Sequence, residues 1–187
     1  MSKMQRVGGA EMRIKELYKK EVINKMRQKF NFKNDLAVPR ISKIVINCGV
    51  GSILSDKKMF DNIAEDIVKI TGQKPLITKS KKAISGFKLR KGQNVGLKIT
   101  LRGKRMYDFL EEVINIALPR SRDFKGIVSK FDGKGNLTIS FREQIVFPEI
   151  EEGTERIFGF EATIVTNAKN DEQAKELLSL LGLKYKE

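Results

Sequence analysis

The segment Val95-Gly96-Leu97-Lys98-Ile99-Thr100-Leu101-Arg102 decides the predicted fold, because apolar and polar side chains alternate along it. Successive side chains of a β-strand point to opposite sides of a sheet, so this alternation is typical of a half-buried strand. Its apolar residues are expected to face a core. The outward face is then expected to carry three polar side chains together, those of Lys98, Thr100 and Arg102.

The elements around this strand mix helices and strands without regular alternation. Apolar residues at helical spacing predict helices at 12–30, 56–72, 105–118 and 170–181. The last of these opens with Asn170 and Gln173, spaced as in a capping box, and Pro119 is expected to end the third. Short β-rich runs predict strands at 44–48, 75–78 and 160–166, and a hairpin of 127–131 with 137–141.

This pattern predicts an α+β fold with a single domain. We expect a largely antiparallel sheet, with helices packed on one face and the other face partly exposed to solvent. No internal repeat or linker divides the chain.

Charge is distributed unevenly along the 187 residues, which carry a formal net charge of +14. Residues 67–107 contain 12 Lys and Arg and no Asp or Glu, whereas residues 143–187 contain 5 basic and 10 acidic residues. A surface of one charge sign repels itself unless a polyanion neutralises it, and phosphate backbones do so with release of counterions. The basic tract therefore predicts a nucleic-acid partner. An anionic membrane surface is the alternative, but it selects a single amphipathic helix, and this tract contains a proline and several glycines.

The absence of histidine restricts the chemistry open to this chain. Without imidazole there is no Ser–His or Cys–His nucleophile pair and no histidine metal site, so catalysis would depend on carboxylates or lysines with shifted pKa values. The single cysteine, Cys48, can form neither an internal disulfide nor a zinc knuckle, and we interpret it as a small core residue. We expect no enzyme, no catalytic residue, no metal site and no cofactor.

The alternative of a nucleotide-using or nucleic-acid-cleaving enzyme rests on Gly49-Val50-Gly51 and on neighbouring carboxylates. These glycines follow a strand, but Leu54 occupies the third glycine position of the dinucleotide fingerprint and no Walker lysine follows. A turn is the preferred interpretation. Carboxylates adjoin at 65–66, at 111–112 and around 149–152, and because neighbours on a helix point apart, a solvated surface explains them better than an acid/base pair.

Two groups of residues are candidates for contact with nucleic acid. The first is the outward face of the alternating strand with Asn47, whose phase in its own strand places it on the same side. Such a face can grip phosphate and ribose by shape, although an ordinary wet sheet face carries similar residues. The second is the loop at 79–93, with five cations between Lys81 and Lys91. Phe87 stands alone among these cations and either stacks on a nucleobase or pins the loop to the body.

Seven motifs stand in the order in which one ribosomal protein family carries them. They are INCGVG at 46–51, TGQKPLITK at 71–79, GFKLR at 86–90, KITLRG at 98–103, LPR at 118–120, RDFKG at 122–126 and REQIVFPEI at 142–150. The ordered set closely resembles the bacterial-type L5 family of large-subunit ribosomal proteins, over about residues 12–185. The resemblance leaves residues 1–10 as a flexible leader before a single ribosomal-protein domain, 11–187, with a basic loop at about 78–92.

The resemblance implies a structural constituent of the cytoplasmic large ribosomal subunit, located in the central protuberance and acting in translation. It implies that the sheet face binds 5S rRNA and helps to attach it to the subunit. The family's positions for this contact match Asn47, Gln73 and Thr100, to which the outward phase of the strand adds Lys98 and Arg102.

The resemblance also implies two further contacts. The basic loop is expected to reach P-site tRNA, through Thr78, Lys79, Lys81, Lys82, Phe87, Lys88, Arg90 and Lys91. An intersubunit bridge to the small-subunit protein S13 is expected at Arg120, Arg122 and Lys125. Further expected partners are 23S rRNA and neighbouring proteins of the central protuberance, and no membrane partner is expected.

Overall fold

A computed structural model describes residues 13–50, 57–83, 85–87, 89–122, 124–150 and 157–186. The predicted leader, Gly51, Leu54 and Lys88 lie outside these described residues. Helix α1 consists of Ile14–Leu17, Tyr18–Val22 and Ile23–Phe30, of which the middle segment has the wider π-helical turn. It is followed by strand β1 (Ile41–Gly49), helix α2 (Lys57–Thr71), strand β2 (Leu76–Lys79) and strand β3 (Asn94–Leu101).

The second half of the chain supplies the remaining elements. Helix α3 consists of Gly103–Glu112, the π-helical Val113–Ala117 and Leu118–Arg120. Strand β4 (Leu137–Phe141), strand β5 (Phe160–Thr166) and helix α4 (Asp171–Leu180) follow. Short 3-10 turns occur at Asp35–Ala37, Ser85–Phe87 and Gln144–Val146.

The five strands form one antiparallel sheet in the order β2-β3-β1-β5-β4. The predicted α+β fold, with an antiparallel sheet covered by helices on one side, is therefore confirmed. The sheet is not built in chain order, because β1 lies at its centre between β3 and β5. Strands from the basic part of the chain and strands from its acidic end thus become neighbours.

The core lies between this sheet and the helices. The alternation predicted for β3 is confirmed, since Leu97, Ile99 and Leu101 are buried while Lys98 is exposed. Cys48 is fully buried on β1, as predicted, and burial raises the pKa of its thiol to about 11. Burying each large apolar side chain stabilises the fold by about 1.5–3 kcal/mol, which fixes the covered face and leaves the other face free to be polar.

The predicted hairpin of 127–131 with 137–141 is wrong in its first half. Only Phe131 bridges to Leu137, while Ile127 pairs with Tyr185 near the C-terminus. The turn is held by side chains instead, because the Asp132 carboxylate accepts hydrogen bonds from the amides of Lys134 and Asn136 at 2.8 and 3.0 Å. A carboxylate that satisfies turn amides removes the need for a paired strand before it.

Two predicted helix signals also differ from the structure. Helix α3 continues through Pro119 and ends one residue later, at Arg120, so the missing N–H of the proline falls in the last turn of the helix. Asn170 makes no side-chain cap for α4, and Gln173 accepts instead from the amide of Lys169. The capping-box prediction therefore placed the helix start correctly but named the wrong hydrogen bonds.

Candidate nucleic-acid interface

The side of the sheet opposite the helices is open to solvent across its central strands. We call this surface the open face and define it by the outward residues of β1, β3, β5 and β4. Asn47, Lys98, Glu161 and Ser140 are exposed on it, whereas the residues that precede and follow them in each strand are largely buried. The predicted outward position of Asn47, Lys98 and Thr100 on one surface is therefore what the structure has.

Asn47 is the central residue of the open face. Register pairs it with Lys98 on β3 and with Glu161 on β5. Opposite residues of antiparallel strands have Cβ atoms about 5 Å apart on the same face, so an ammonium, an amide and a carboxylate follow one another across the sheet. Leu76 and Ser140 extend this row to the two edge strands. Within the row, the Lys98 ammonium can only donate hydrogen bonds and an ionised Glu161 carboxylate can only accept them.

A second row runs parallel to the first and is uncharged. Thr100 lies opposite Val45, which lies opposite Thr163, which in turn lies opposite Thr138. The hydroxyls of Thr138 and Thr163 are hydrogen-bonded to each other at 3.0 Å. Hydroxyl groups can donate to and accept from ribose and base edges, so this row suits folded RNA better than it suits a bare row of phosphates.

Gln73 is brought to Thr100 by the turn that ends helix α2. The Thr71 hydroxyl donates to the carbonyl of Ile67 at 2.7 Å and accepts from the Gln73 amide at 3.3 Å, while Gly72 takes a left-handed conformation with φ 63°. The Gln73 side chain then donates its Nε2 to the carbonyl of Thr100 at 3.4 Å. The structure thus joins Gln73, which lies outside the sheet, to the backbone of β3 at Thr100.

Arg102 is exposed one residue beyond β3, where extended backbone leads into helix α3. The first turn of that helix carries Lys104 and Arg105 and no acidic residue. Cations at a helix N-terminus are unfavourable by themselves, because the helix dipole is positive there, and they become favourable when an anion binds. This end of the open face is therefore electrostatically suited to phosphate.

Gly96 allows the strands of the open face to approach closely. A Cβ atom at this position would lie 2.8 Å from the carbonyl oxygen of Cys48 and 3.0 Å from the hydroxyl of Thr78. At Gly49, its direct cross-strand partner, no atom of the described residues lies within 4 Å of the same built atom. The small residue is needed at 96 because the neighbouring backbone cannot give way.

The basic loop begins two residues later than predicted. Thr78 and Lys79 belong to strand β2, where they pair with Gly96 and Asn94. The predicted strand at 75–78 already included Thr78, whereas the resemblance to the family assigned both residues to the loop. Thr78 is half-buried in the sheet, and Lys79 is exposed at its edge.

The base of the basic loop is closed by hydrogen bonds. The amide of Ser80 donates to the carbonyl of Gln93 at 2.8 Å, and the amide of Gly92 donates back to the carbonyl of Ser80 at 2.9 Å. The side-chain oxygen of Gln93 accepts from the amide of Arg90 at 3.0 Å. Phe87 lies in the 3-10 turn of the loop. Four predicted cations are exposed beyond this closed base: Lys81, Lys82, Arg90 and Lys91.

The predicted bridge residues lie together at the end of helix α3 and just after it. Arg120, Arg122 and Lys125 are all exposed. Lys125 also lines a groove of about 920 Å³ between this segment, the helix end and the C-terminal residues. The three cations form a basic surface that is separate in sequence from both the open face and the loop.

One carboxylate pair contradicts the prediction of a solvated surface. Burial, and then the neighbouring carboxyl of Glu149, raise the pKa of Glu112 to about 9. Among the described residues, Glu112 Oε1 and Glu149 Oε2 are buried without a hydrogen-bond partner. The sequence pairs Glu112 with its neighbour on the helix, whereas its actual partner, Glu149, is distant in the chain and reaches the helix only through the fold.

The described part of the chain contains neither a cluster of metal ligands nor a membrane-spanning helix. There, no group of three or more metal-ligating side chains is close enough to hold an ion. The same residues contain no helix that is long and apolar enough to cross a bilayer.

Sequence reasoning missed the half of the open face contributed by β4 and β5. Alternation in the run 160–166 already placed Glu161 and Thr163 on an outward side, and the same holds for Thr138 and Ser140. The missing information was that β5 lies directly beside β1. Nothing in either strand by itself names its neighbour.

Comparison with known proteins identifies the family. Residues 34–90 match the family model described as ribosomal protein L5, and residues 94–185 match the model described as the C-terminus of the same ribosomal family. The large ribosomal subunit protein uL5 of Halothermothrix orenii is 49% identical over 174 residues, covering 92% of this chain and 97% of that protein. The uL5 proteins of Leuconostoc mesenteroides and Dictyoglomus turgidum are 51% and 52% identical, each over 92% of this chain and over 97% and 98% of their own lengths.

Proposed function

This chain belongs to the L5 family of large-subunit ribosomal proteins, and on that premise we propose that its open face binds 5S rRNA and helps to attach it to the large subunit. As a member of this family it is a structural protein of the cytoplasmic ribosome that acts in translation, not an enzyme. The contact with 5S rRNA is the specific step of the proposal, with Asn47, Gln73, Thr100, Lys98 and Arg102 as its residues.

The observation that supports this step is that these five residues lie on strands β1 and β3 of the open face or directly beside them. Asn47 and Lys98 are cross-strand partners, and Gln73 is hydrogen-bonded to Thr100. Fixed amides and hydroxyls beside cations can bind the ribose and phosphate groups of folded RNA through its shape. A rigid sheet also lowers the conformational entropy lost on binding, since its side chains are already in place.

The basic loop is proposed to contact P-site tRNA rather than 5S rRNA. Its exposed cations, Lys81, Lys82, Arg90 and Lys91, extend beyond a base closed by hydrogen bonds to Gln93. Such a loop can present charge to a second RNA without disturbing the sheet, because the closed base separates the two surfaces.

The remaining contacts of the proposal lie outside the open face and the loop. The exposed Arg120, Arg122 and Lys125 are the proposed side of an intersubunit bridge to the small-subunit protein S13. Further proposed contacts, to 23S rRNA and to neighbouring proteins, would hold the protein in the central protuberance.

Binding of purified full-length protein to 5S rRNA tests the central step. Filter binding across a salt series should show preference for 5S rRNA over an unrelated structured RNA of equal length, with an affinity that decreases as salt rises. Equal affinity for both RNAs at moderate salt would contradict the proposal, because general electrostatic attraction would then account for all binding.

A further inference from the structure

Glu161 is a carboxylate in the middle of a surface proposed to bind a polyanion. It is exposed on β5, with Asn47 opposite on one side and Ser140 opposite on the other. Lys98 lies two strands away in the same row, so the two charges are separated by about 10 Å of sheet. Within the part of the chain that the structure describes, no Lys or Arg lies within ion-pair distance of the Glu161 carboxylate.

The open face is electrostatically divided along strand β1. Strands β4 and β5 contain no Lys or Arg, and their outward residues are Glu161, the apolar Val165 and three hydroxyl-bearing side chains, those of Thr138, Ser140 and Thr163. A phosphate placed against Glu161 would be repelled, and the repulsion is stronger where bound RNA excludes water. The phosphates of bound RNA are therefore favoured on the side of Lys98, and a different chemical group of the RNA must contact Glu161.

We propose that Glu161 is a specificity-determining residue whose carboxylate accepts hydrogen bonds from donor groups of the RNA. This inference rests on the proposed binding of 5S rRNA to the open face. The donors that RNA offers are base N–H groups and ribose 2′-hydroxyls, and an ionised carboxylate can only accept. When RNA donor groups bind Glu161 and phosphates bind Lys98, the RNA can lie on the sheet in only one orientation. General attraction of phosphates to cations does not select an orientation.

Two substitutions and a matched control test this role. E161A removes both the acceptor and the charge, and E161Q removes the charge but keeps one acceptor oxygen. E172A removes the same charge from an exposed position on helix α4, away from the open face. Each full-length variant is measured by filter binding against 5S rRNA and against an unrelated structured RNA of equal length.

We expect E161A to weaken binding to 5S rRNA about 10-fold, the effect of losing one good paired contact, without weakening binding to the unrelated RNA. E161Q should fall between E161A and the unchanged protein, because one acceptor oxygen remains. E172A should leave the preference for 5S rRNA unaltered. The inference is overturned if E161A and E161Q both bind more tightly than the unchanged protein, by the same factor for 5S rRNA and for the unrelated RNA. Glu161 would then act only through repulsion.

The failure of this inference is distinguishable from failure of the proposed function. If the unchanged protein shows no preference for 5S rRNA, the proposed function fails. If it shows a preference that E161A retains in full, only the role of Glu161 fails.

Chemically modified RNA distinguishes whether the group that donates to Glu161 is a ribose 2′-hydroxyl or a base amino group. Single 2′-deoxy nucleotides remove a ribose donor, and inosine in place of guanosine removes a base amino group. At the contacted nucleotide, the affinity loss seen with the unchanged protein should disappear with E161A, because the partner is already absent. A scan of the protected nucleotides in which every loss persists with E161A would overturn the assignment.

Discussion

Asn47 and Lys98 are direct cross-strand partners at the centre of the open face, held there by strands β1 and β3. Both side chains are exposed, while Ile46 and Ile99, the adjacent pair in the register, are buried on the other side. The buried neighbours therefore hold in place the backbone on which Asn47 and Lys98 lie. Substitutions of the pair should change RNA binding without unfolding the protein.

Replacing Lys98 with alanine should weaken 5S rRNA binding and lower the slope of log affinity against log salt by about 1, the loss of a single phosphate contact. The double variant K81A/K82A removes two exposed loop cations and should leave 5S binding nearly unchanged. Filter binding across a salt series measures both. Equal losses from the two variants would show that the sheet and the loop do not have separate roles.

Replacing Gly96 with alanine should destabilise the protein by about 1–3 kcal/mol, because the new Cβ would meet the backbone carbonyl of Cys48. The matched control is G49A, at the cross-strand partner position, where the added methyl group contacts none of the residues that the structure describes. That change should alter the free energy of unfolding by less than about 0.5 kcal/mol. Urea denaturation compares the two, and similar values for both would mean that the sheet accommodates the methyl group at 96.

Replacing Glu112 with glutamine should change how stability depends on pH. The pKa of Glu112 rises from 4.5 to about 9 on folding, so the folded state holds this proton more tightly than the unfolded state. Its contribution to stability is therefore fully present below pH 4.5 and is lost as pH rises towards 9. The neutral amide of E112Q should remove this loss and make the variant more stable than the unchanged protein at about pH 8, by about 1 kcal/mol or more.

Urea denaturation at about pH 5 and about pH 8 checks the expected divergence. E65Q, which neutralises an exposed carboxylate on helix α2, serves as the control and should follow the unchanged protein at both values. Parallel behaviour of E112Q and the unchanged protein would show that the Glu112 carboxyl does not retain its proton in this range.

Hydrogen exchange of the free protein should distinguish the base of the basic loop from its tip. The amides of Ser80 and Gly92 donate to backbone carbonyls across the base and should exchange slowly. The exposed Lys81 and Lys82 lie beyond these bonds and should exchange quickly. Addition of tRNA should then slow exchange at the tip, and uniform protection in the free protein would contradict this division.

Local patterns in the sequence predicted each strand that carries the proposed contact with 5S rRNA. The alternation around Lys98 and Thr100 identified the outward face because a strand has a period of two, whatever it packs against. The segment 127–131 was misjudged because its partner is the C-terminal Tyr185 rather than the neighbouring run. Patterns within a few residues cannot reveal a distant partner that competes with a nearby one.

By itself, then, the chain determined the two-sided sheet, the carboxylate-free tract from 67 to 107 and the exclusion of histidine chemistry, all of which are properties of short segments or of composition. Only the tertiary structure decided that Glu161 lies opposite Asn47 and that Glu112 meets Glu149. The physical reason is that alternation chooses the face of a residue, whereas packing of the whole core chooses which strand lies beside it. Because of the strand order, a segment from the acidic end of the chain (β5) lies on the same open face as strands from its basic part (β1 and β3).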